Sequence, residues 1–264
     1  MRPVLVRLAG WDVPTHPFFV ALGVTVAAAV FFREARSRGQ LREETLVAVV
    51  GALVGGAIGM RLSGWARHLD LLDNAGLLDA WQYGARSILG GLTGAYVGVL
   101  VAKRAIGYRE RTGDLFAPAV ALGMAVGRIG CFLTEPPGRP TSLPWGIRSD
   151  APLPGCDGCV TGAPMHPSFL YEIAFHLAAF AALLWLKARI KAPGELLTLY
   201  LAGYAGFRFA VEFARANETV WLDLTRPQWF LLPCLALLAA RVSVQYRRGV
   251  YDVPLGRAAS GAAA

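Results

Sequence analysis

The sequence predicts an all-α integral membrane protein with seven transmembrane helices, its N-terminus outside and its C-terminus cytoplasmic. Of the 264 residues, 55% are hydrophobic and 17% are charged, and the mean hydropathy is +0.45. Soluble domains usually carry about 25% charged residues, so this composition argues against a soluble domain. The apolar residues also fall into long runs, and the segments between these runs alternate in charge.

Seven apolar runs account for the predicted helices. They cover residues 16–32, 45–62, 84–102, 115–133, 167–186, 195–214 and 227–246. A helix of roughly 17–20 residues crosses a hydrocarbon core of about 30 Å. Glycines recur inside the second and third runs, where small residues allow two membrane helices to approach closely. We expect one transmembrane domain over residues 1–250, outer loops at about 66–83 and 136–165, and a flexible cytoplasmic tail over 251–264.

The charge of the loops predicts the orientation. Lys and Arg exceed Asp and Glu by 26 to 18, a net charge of +8. The basic residues concentrate after the first, third, fifth and seventh runs, and the other loops are richer in aspartate. Cytoplasmic loops of membrane proteins carry such an excess of basic residues. The alternation predicts a multi-pass membrane protein, and we expect no nucleic-acid partner.

Ionisable residues within the runs indicate where a functional site lies, because each is costly in lipid. Arg128 in the fourth helix lies roughly 10 Å below the predicted outer surface, and Arg208 in the sixth lies at about the same depth. Glu172 in the fifth helix is roughly 9 Å down. Arg86 is near the outer end of the third helix, and His166 begins the fifth. Four helices therefore bring charged groups to one layer.

The sixth helix adds a polar face to this layer. Tyr204, Arg208, Glu212 and Arg215 follow one another at spacings of 4, 4 and 3 residues, which places them on one side of a helix. Arg–Glu pairs can serve only to hold helices together. Three arginines at one depth exceed that need, and guanidinium groups bind phosphate through two parallel hydrogen bonds. The layer is typical of a site for a phospholipid from the outer leaflet.

Three motifs resemble the prolipoprotein diacylglyceryl transferase family. The first is Gly127-Arg128-Ile129-Gly130-Cys131-Phe132, with Gly138 beyond it. The second runs from His166 to Glu172 as HPSFLYE, and the third from Tyr204 to Arg215 as YAGFRFAVEFAR. Gly90-Gly91 in the third helix is a weaker fourth match. The motifs occur in the family order and on the expected helices, and the resemblance covers about residues 16–246.

The resemblance implies a fold, a reaction and partners. Members of this family have seven helices with the N-terminus out and the C-terminus in. They transfer the diacylglyceryl group of phosphatidylglycerol, a membrane lipid, to the cysteine thiol in the lipobox of a preprolipoprotein signal peptide. Glycerol 1-phosphate leaves. The resemblance implies a multi-pass protein of a bacterial plasma (inner) membrane, with no metal and no soluble cofactor.

The chain departs from the family pattern at four positions. The family His before the helix-3 Gly–Gly pair is Leu89 here, and the Asn of the helix-4 motif is Cys131. A family Tyr in the first helix falls at about Phe18, and a family Arg in the second at about Ala57. A Leu side chain cannot accept a proton. We therefore expect slow or absent activity on ordinary lipobox substrates, with phosphatidylglycerol binding retained.

The residues and the resemblance together define a candidate site. Arginines would hold the lipid phosphate, and the two glutamates would orient them. The expected substrate-binding residues are Arg86, Arg128, Arg208, Tyr204, Glu172, Gly90 and Gly91, and the expected catalytic residues are His166, Glu212 and Cys131. A family member that transfers or binds a lipid for another acceptor remains the alternative function.

For several of these residues a structural role is an alternative to a functional one. His166 is either the base that deprotonates the thiol or a residue that only shapes the turn before Pro167. Cys131 is either a packing residue, a nucleophile for a covalent lipid intermediate, or part of other thiol chemistry. Cys156 and Cys159, in an outer loop, would form a disulfide outside the cytoplasm. A redox motif and a zinc site with His166 are the alternatives for this pair.

Overall fold

The computed structural model describes residues 2–8, 10–66, 81, 87–149, 161–190 and 192–251. Seven long helices make up most of this part of the chain, one for each predicted run. They are α1 (Thr15–Ser37), α2 (Glu43–Trp65), α3 (Ile88–Ala105), α4 (Gly113–Thr134), α5 (Ser168–Leu186), α6 (Glu195–Val211) and α7 (Arg226–Arg247). Six of them are long and apolar enough to cross a membrane. The protein is therefore a helical, multi-pass membrane protein.

Helix α6 differs from the prediction at its C-terminal end. It has 17 residues and stops at Val211, and a single 3₁₀ turn, Glu212–Ala214, completes the predicted run. Glu212 keeps helical backbone angles, φ −62° and ψ −30°, and pairs with Arg208 four residues earlier. The predicted tail lies almost wholly outside the described residues, as does most of the loop predicted at 66–83.

The chain forms two compact units, one from Met1–Glu34 with Thr112–Ala264 and the other from Ala35–Arg111. In the second unit, glycines spaced four residues apart on α2 face glycines spaced in the same way on α3. A Cβ atom added to Gly55 would lie 2.8 Å from Gly98 Cα, and one added to Gly94 would lie 2.8 Å from Gly59 Cα. The predicted close approach of these helices is confirmed.

In the first unit, α4 packs against α5 and α6, and α6 packs against α7. Small side chains of α4, at Ala117 and Ala121, lie against Leu183 of α5 and Tyr200 of α6 in a buried core. Glycines also bring α1 close to α4, since a Cβ atom on Gly123 would lie 2.8 Å from the Cβ atom of Ala27. Helix α4 is the centre of this unit and holds Arg128 against its neighbours.

Buried polar groups fix the first turn of α6. The Asp114 carboxylate accepts hydrogen bonds from the backbone N–H groups of Gly194 (2.9 Å) and Leu196 (3.1 Å). The Glu195 carboxylate accepts from Arg241 at 2.5 Å and from Tyr251 at 2.8 Å. Burial and the bond to Glu195 raise the pKa of the Tyr251 hydroxyl. Glu195 lies 13 residues before Arg208 on α6, a distance of about 20 Å along the helix.

Two short hairpins complete the first unit, and the sequence did not predict them. Strands β1 (Val4–Leu8) and β2 (Trp11–Pro14) precede α1, and β3 (Thr219–Trp221) and β4 (Leu224–Thr225) join the 3₁₀ turn to α7. Both pairs are antiparallel. The N–H group of Arg2 donates to the carbonyl oxygen of Leu133 at 2.8 Å. The first hairpin is thereby tied to the end of α4.

Candidate functional site

Arg128 joins three helices at the C-terminal end of α4. Its guanidinium group forms an ion pair with Glu172 of α5 and donates to the Tyr204 hydroxyl of α6 at 3.3 Å. Arg128 is 5% exposed and Glu172 is 0% exposed. Burying either charge alone would be costly. The predicted pairing of Arg128 with a glutamate at this depth therefore explains how both can occupy the helical core.

Arg208 has a glutamate partner on its own chain segment. Its guanidinium group donates to one oxygen of Glu212, four residues later. The other oxygen accepts from the Asn217 side-chain amide at 2.6 Å and the Thr225 hydroxyl at 2.9 Å. Because donors occupy both oxygens, the arrangement favours Glu212 as an orienting residue for Arg208.

Arg215 connects the two pairs. Its guanidinium nitrogens lie 3.1 Å from Glu172 and 3.9 Å from Glu212, and its charge lies over the Phe169 ring at 4.5 Å. Burial and the nearby charge of Arg208 lower the pKa of Arg215 from its usual value, against the opposing effect of Glu172. An anion bound beside Arg215 would offset the repulsion from Arg208.

These five residues, Arg128, Glu172, Arg208, Glu212 and Arg215, form what we call the arginine cluster. Three guanidinium groups share two buried carboxylates. The Nε atoms of Arg128 and Arg215 are buried without a hydrogen-bond partner among the described residues. Excess positive charge and unused donors are both unfavourable in a buried site. A phosphate group would satisfy both.

Cys131 lies beside the cluster, one helical turn after Arg128. Its buried sulfur is 3.9 Å from Arg128 Nη1 and 3.6 Å from Nε2 of His16, the second residue of α1. The same His16 nitrogen is 3.7 Å from the carboxylate of Glu135, just after α4. Glu135 also lies 3.9 Å from Arg215. A second group of ionisable side chains thus borders the arginine cluster.

His166 lies in the segment before α5, where backbone contacts hold it. Its carbonyl oxygen accepts from the Gly138 N–H at 2.8 Å, and its N–H donates to the Arg139 carbonyl at 2.9 Å. The N–H of Arg139 in turn donates to Ala214, at the end of the 3₁₀ turn. A Cβ atom on Gly138 would overlap the Ala214 carbonyl. The glycine of the helix-4 motif therefore allows this close backbone approach.

The His166 ring has an aromatic partner. Its Nδ1 atom is 3.2 Å from the Tyr171 hydroxyl, which also accepts a hydrogen bond from the Trp145 indole at 2.9 Å. The hydroxyl orients the imidazole through one ring nitrogen. The geometry is compatible with both earlier readings of His166, as a base and as a structural residue of the turn.

Other predicted site residues belong to the second unit or lie outside the described residues. Gly90 and Gly91 belong to α3 in the Ala35–Arg111 unit, where they face Gly59, Met60 and Gly56 of α2. Their described contacts are those of helix packing. Leu89 is in the first turn of α3. Arg86, Cys156 and Cys159 lie outside the described residues.

Sequence reasoning missed several members of the site. The sequence places Arg215 on the face of Arg208 without marking it as a site residue, and it gives no site prediction for His16, Glu135, Asn217 and Thr225. All five lie at or beyond the ends of helices, where charged and polar residues are common. The available signal was the position of His16, which begins an apolar run on the same predicted side as Glu135.

Comparison with known proteins gives the family. The family model described as prolipoprotein diacylglyceryl transferase matches residues 3–244. The chain is 35% identical over 210 residues to a phosphatidylglycerol–prolipoprotein diacylglyceryl transferase of Cupriavidus pinatubonensis, covering 76% of this chain and 72% of that protein. A protein of the same name from Bordetella bronchiseptica is 33% identical over 204 residues, covering 73% of each.

A more distant relative aligns over a longer stretch. The phosphatidylglycerol–prolipoprotein diacylglyceryl transferase of Leifsonia xyli subsp. xyli is 29% identical over 263 residues, covering 92% of this chain and 78% of that protein. The matched region contains the helices that carry Arg128, Glu172 and Arg208. The chain belongs to the prolipoprotein diacylglyceryl transferase family.

Proposed function

We propose that the protein transfers the diacylglyceryl group of phosphatidylglycerol to the lipobox cysteine of a preprolipoprotein signal peptide. The family match and the names of the relatives support this transferase activity. The observation that carries the proposal is the arginine cluster, in which buried guanidinium groups keep unused donors. The transferred group is linked to a phosphate, and this cluster supplies the charge and geometry that a phosphate needs.

The proposed topology has seven spans, with the N-terminus outside and the C-terminus in the cytoplasm of a bacterial cell. The 17 residues of α6 and the 3₁₀ turn after it reach about 32 Å, enough for a core of about 30 Å. Arg128 is six residues from the end of α4, about 9 Å. In this topology the cluster lies near the headgroups of the outer leaflet, which would supply the lipid.

The proposed reaction is an alkyl transfer to sulfur. The peptide thiolate attacks the glyceryl carbon, a C–S bond forms, and the C–O bond to phosphate breaks. Negative charge accumulates on the departing glycerol phosphate. Arg128 and Arg215 would donate their free Nε–H groups to its oxygens, and Arg208, oriented by Glu212, would add positive charge. Donors fixed in a site of low dielectric stabilise such charge without reorganising.

The thiol proton needs an acceptor. His166 is a candidate base if its Nδ1–H donates to Tyr171, because Nε2 then remains free to accept a proton. Glu212 is less suited, since donors occupy both of its oxygens. Gly90, Gly91 and Arg86 stay proposed substrate-binding residues.

Cys131 is better suited to lining the site than to forming a lipid intermediate. A diacylglyceryl group on its sulfur would be held by a thioether bond. A thiolate from a thioether leaves poorly, so the second transfer would not proceed at a useful rate. Cys131 therefore forms no covalent bond to the lipid, and its sulfur contacts Arg128.

Leu89 favours a second candidate function, lipid transfer to another acceptor. The resemblance implies a His at this position, and a Leu side chain has no atom that can accept a proton. Lipid binding would remain while the standard thiol acceptor would be deprotonated slowly. An acceptor that is already ionised, or that brings its own base, would not need the missing His.

The test is a transfer assay with the full chain in detergent micelles. Phosphatidylglycerol and a lipobox peptide are supplied, and the thioether product is measured by mass spectrometry together with released glycerol phosphate. A peptide with Ser in place of the lipobox Cys and phosphatidylethanolamine as lipid are the controls. Thioether product supports the proposed reaction. Phosphatidylglycerol binding without product supports the second function, and absence of binding contradicts both.

A further inference from the structure

The side chains of His16, Cys131 and Glu135 form a compact set of possible metal ligands. Each offers one ligand atom, and the three atoms lie within 4.8 Å of one another. His16 Nε2 is 3.6 Å from Cys131 Sγ and 3.7 Å from Glu135 Oε1. Two elements build the set: the start of α1 supplies the imidazole, and the last turn of α4 with the residue after it supplies the thiol and the carboxylate.

Two of the three ligand–ligand distances are close to those of a tetrahedral site. Zinc binds sulfur at about 2.3 Å and imidazole nitrogen or carboxylate oxygen at about 2.0–2.2 Å. At tetrahedral angles these lengths put sulfur and nitrogen about 3.6 Å apart, and nitrogen and oxygen about 3.4 Å apart. The sulfur–nitrogen distance already agrees. The nitrogen–oxygen distance is about 0.3 Å longer than the tetrahedral value, and Cys131 Sγ lies within 4.8 Å of the Glu135 carboxylate.

We propose that His16, Cys131 and Glu135 bind a thiophilic divalent cation such as Zn²⁺, with one coordination position left open. One nitrogen, one sulfur and one oxygen donor suit zinc, and three protein ligands leave the fourth position to water. The thiol releases its proton to solvent as the metal–sulfur bond forms.

Exposure of the ligands supports an entry route. Cys131 is 3% exposed, so a metal–thiolate bond would be shielded from solvent. The side chains of His16 and Glu135 are 43% and 40% exposed, so they can capture a cation from solution. The site borders the arginine cluster, because Arg128 and Arg215 each lie 3.9 Å from one of its ligand residues. A cation there would withdraw Glu135 from Arg215.

Cobalt(II) is the probe for this site, since a cobalt–thiolate bond has an absorption band in the near ultraviolet. The full chain carries Cys156→Ser and Cys159→Ser, which removes the other possible thiolate site and leaves Cys131 and Cys234. We expect one Co²⁺ per chain with the thiolate band, and displacement of Co²⁺ by Zn²⁺. Cys131→Ser should abolish the band, and Cys234→Ser should leave it unchanged.

Two further variants change His16 and Glu135. Both side chains are partly exposed, so we expect their replacement to leave the fold intact. His16→Ala and Glu135→Gln should each weaken Co²⁺ binding by about tenfold or more, with the same thermal unfolding midpoint without metal. No thiolate band in the parent chain would overturn the proposal. So would a band that survives Cys131→Ser, or unchanged Co²⁺ affinity in His16→Ala.

Discussion

Arg128 is where the structure makes the most specific demand on a single side chain. It pairs with Glu172, contacts Tyr204 and keeps an unused Nε donor. The guanidinium group can therefore neutralise a buried acid and still hold a phosphate oxygen. Arg215 has the same two properties, so the phosphate would be held between residues from two elements.

Replacing Arg128 should weaken phosphatidylglycerol binding. Arg128→Ala removes a charge-assisted hydrogen bond, so we expect affinity to fall about 10- to 100-fold. The affinity of Arg128→Lys should lie between those of the parent chain and Arg128→Ala, because lysine keeps the charge but lacks the planar guanidinium group. Titration of fluorescent phosphatidylglycerol in detergent measures the change. Arg139→Ala, an exposed arginine of the following loop, is the control and should bind normally; equal losses in both variants would contradict the assignment.

Leu89 allows a gain-of-function experiment. If proton acceptance limits transfer, Leu89→His should raise the turnover of a lipobox peptide, by up to about 100-fold for a well-placed base. Leu89→Asn is similar in size but has no basic atom at neutral pH, so it should give no gain. Thioether formation per unit time is the measurement. Equal rates for the parent and Leu89→His would show that this position does not limit the reaction.

The sequence predicted those site residues that are charged and lie inside apolar runs. Arg128, Arg208, Glu172 and Glu212 stand out because ionisable residues inside apolar runs are costly. Arg215 and the His16, Cys131 and Glu135 set lie at helix ends, where the same residue types are ordinary. Their roles depend on which helix ends meet in space, and one sequence contains no such information.

At the scale of elements, the glycines of α2 and α3 offer a matched pair of substitutions. A Cβ atom on Gly55 would lie 2.8 Å from Gly98 Cα, whereas one on the adjacent Gly56 would meet its nearest neighbour at 3.4 Å. Both changes to Ala raise helix propensity equally. Gly55→Ala should therefore cost about 1–3 kcal/mol through overpacking, and Gly56→Ala should not. Thermal unfolding in detergent compares them; equal midpoints would mean that the helices adjust without cost.

The start of α7 is linked to the site through one hydroxyl. Thr225 accepts a hydrogen bond from the Gln228 N–H, which caps the helix, and donates to Glu212 at 2.9 Å. Thr225→Val removes both bonds at nearly constant volume and should destabilise the protein by about 1–2 kcal/mol. Thr225→Ser keeps the hydroxyl and should restore most of that loss. Equal thermal unfolding midpoints in the two variants would show that the Thr225 hydroxyl does not stabilise the protein.

Long helices were predictable and short hairpins were not. An apolar run of membrane length leaves few alternatives, because the backbone must satisfy its hydrogen bonds within the helix. The hairpin of β3 and β4 has Leu222 and Asp223 at positive φ, 48° and 54°. Turns of this kind usually carry Asn-Gly or Gly, so the usual sequence signal is absent. The end of α6 was misplaced for a similar reason, since nothing in the apolar pattern marks a 3₁₀ turn.

At the scale of the whole molecule, the number of spans determines where the two termini lie. Seven spans place them on opposite sides of the membrane, and six would place them on the same side. Among the described helices, α6 alone is not a candidate span, because its 17 residues make it shorter than the six helices that are long enough to cross a membrane. The 3₁₀ turn after it supplies the missing length, and the positive charge of alternate loops supports an odd count.

Cysteine labelling of both ends therefore tests the seven-span topology. Leu5→Cys lies in the exposed first hairpin, and Ser260→Cys lies in the predicted cytoplasmic tail. Each is introduced into a chain whose native cysteines are Ser. With a membrane-impermeant maleimide, we expect Leu5→Cys to react in spheroplasts and Ser260→Cys to react only after permeabilisation. Reaction of both without permeabilisation would indicate an even number of spans. Reaction of the tail cysteine alone would indicate the reverse orientation. The arginine cluster would then lie in the cytoplasmic leaflet, away from a secreted thiol acceptor.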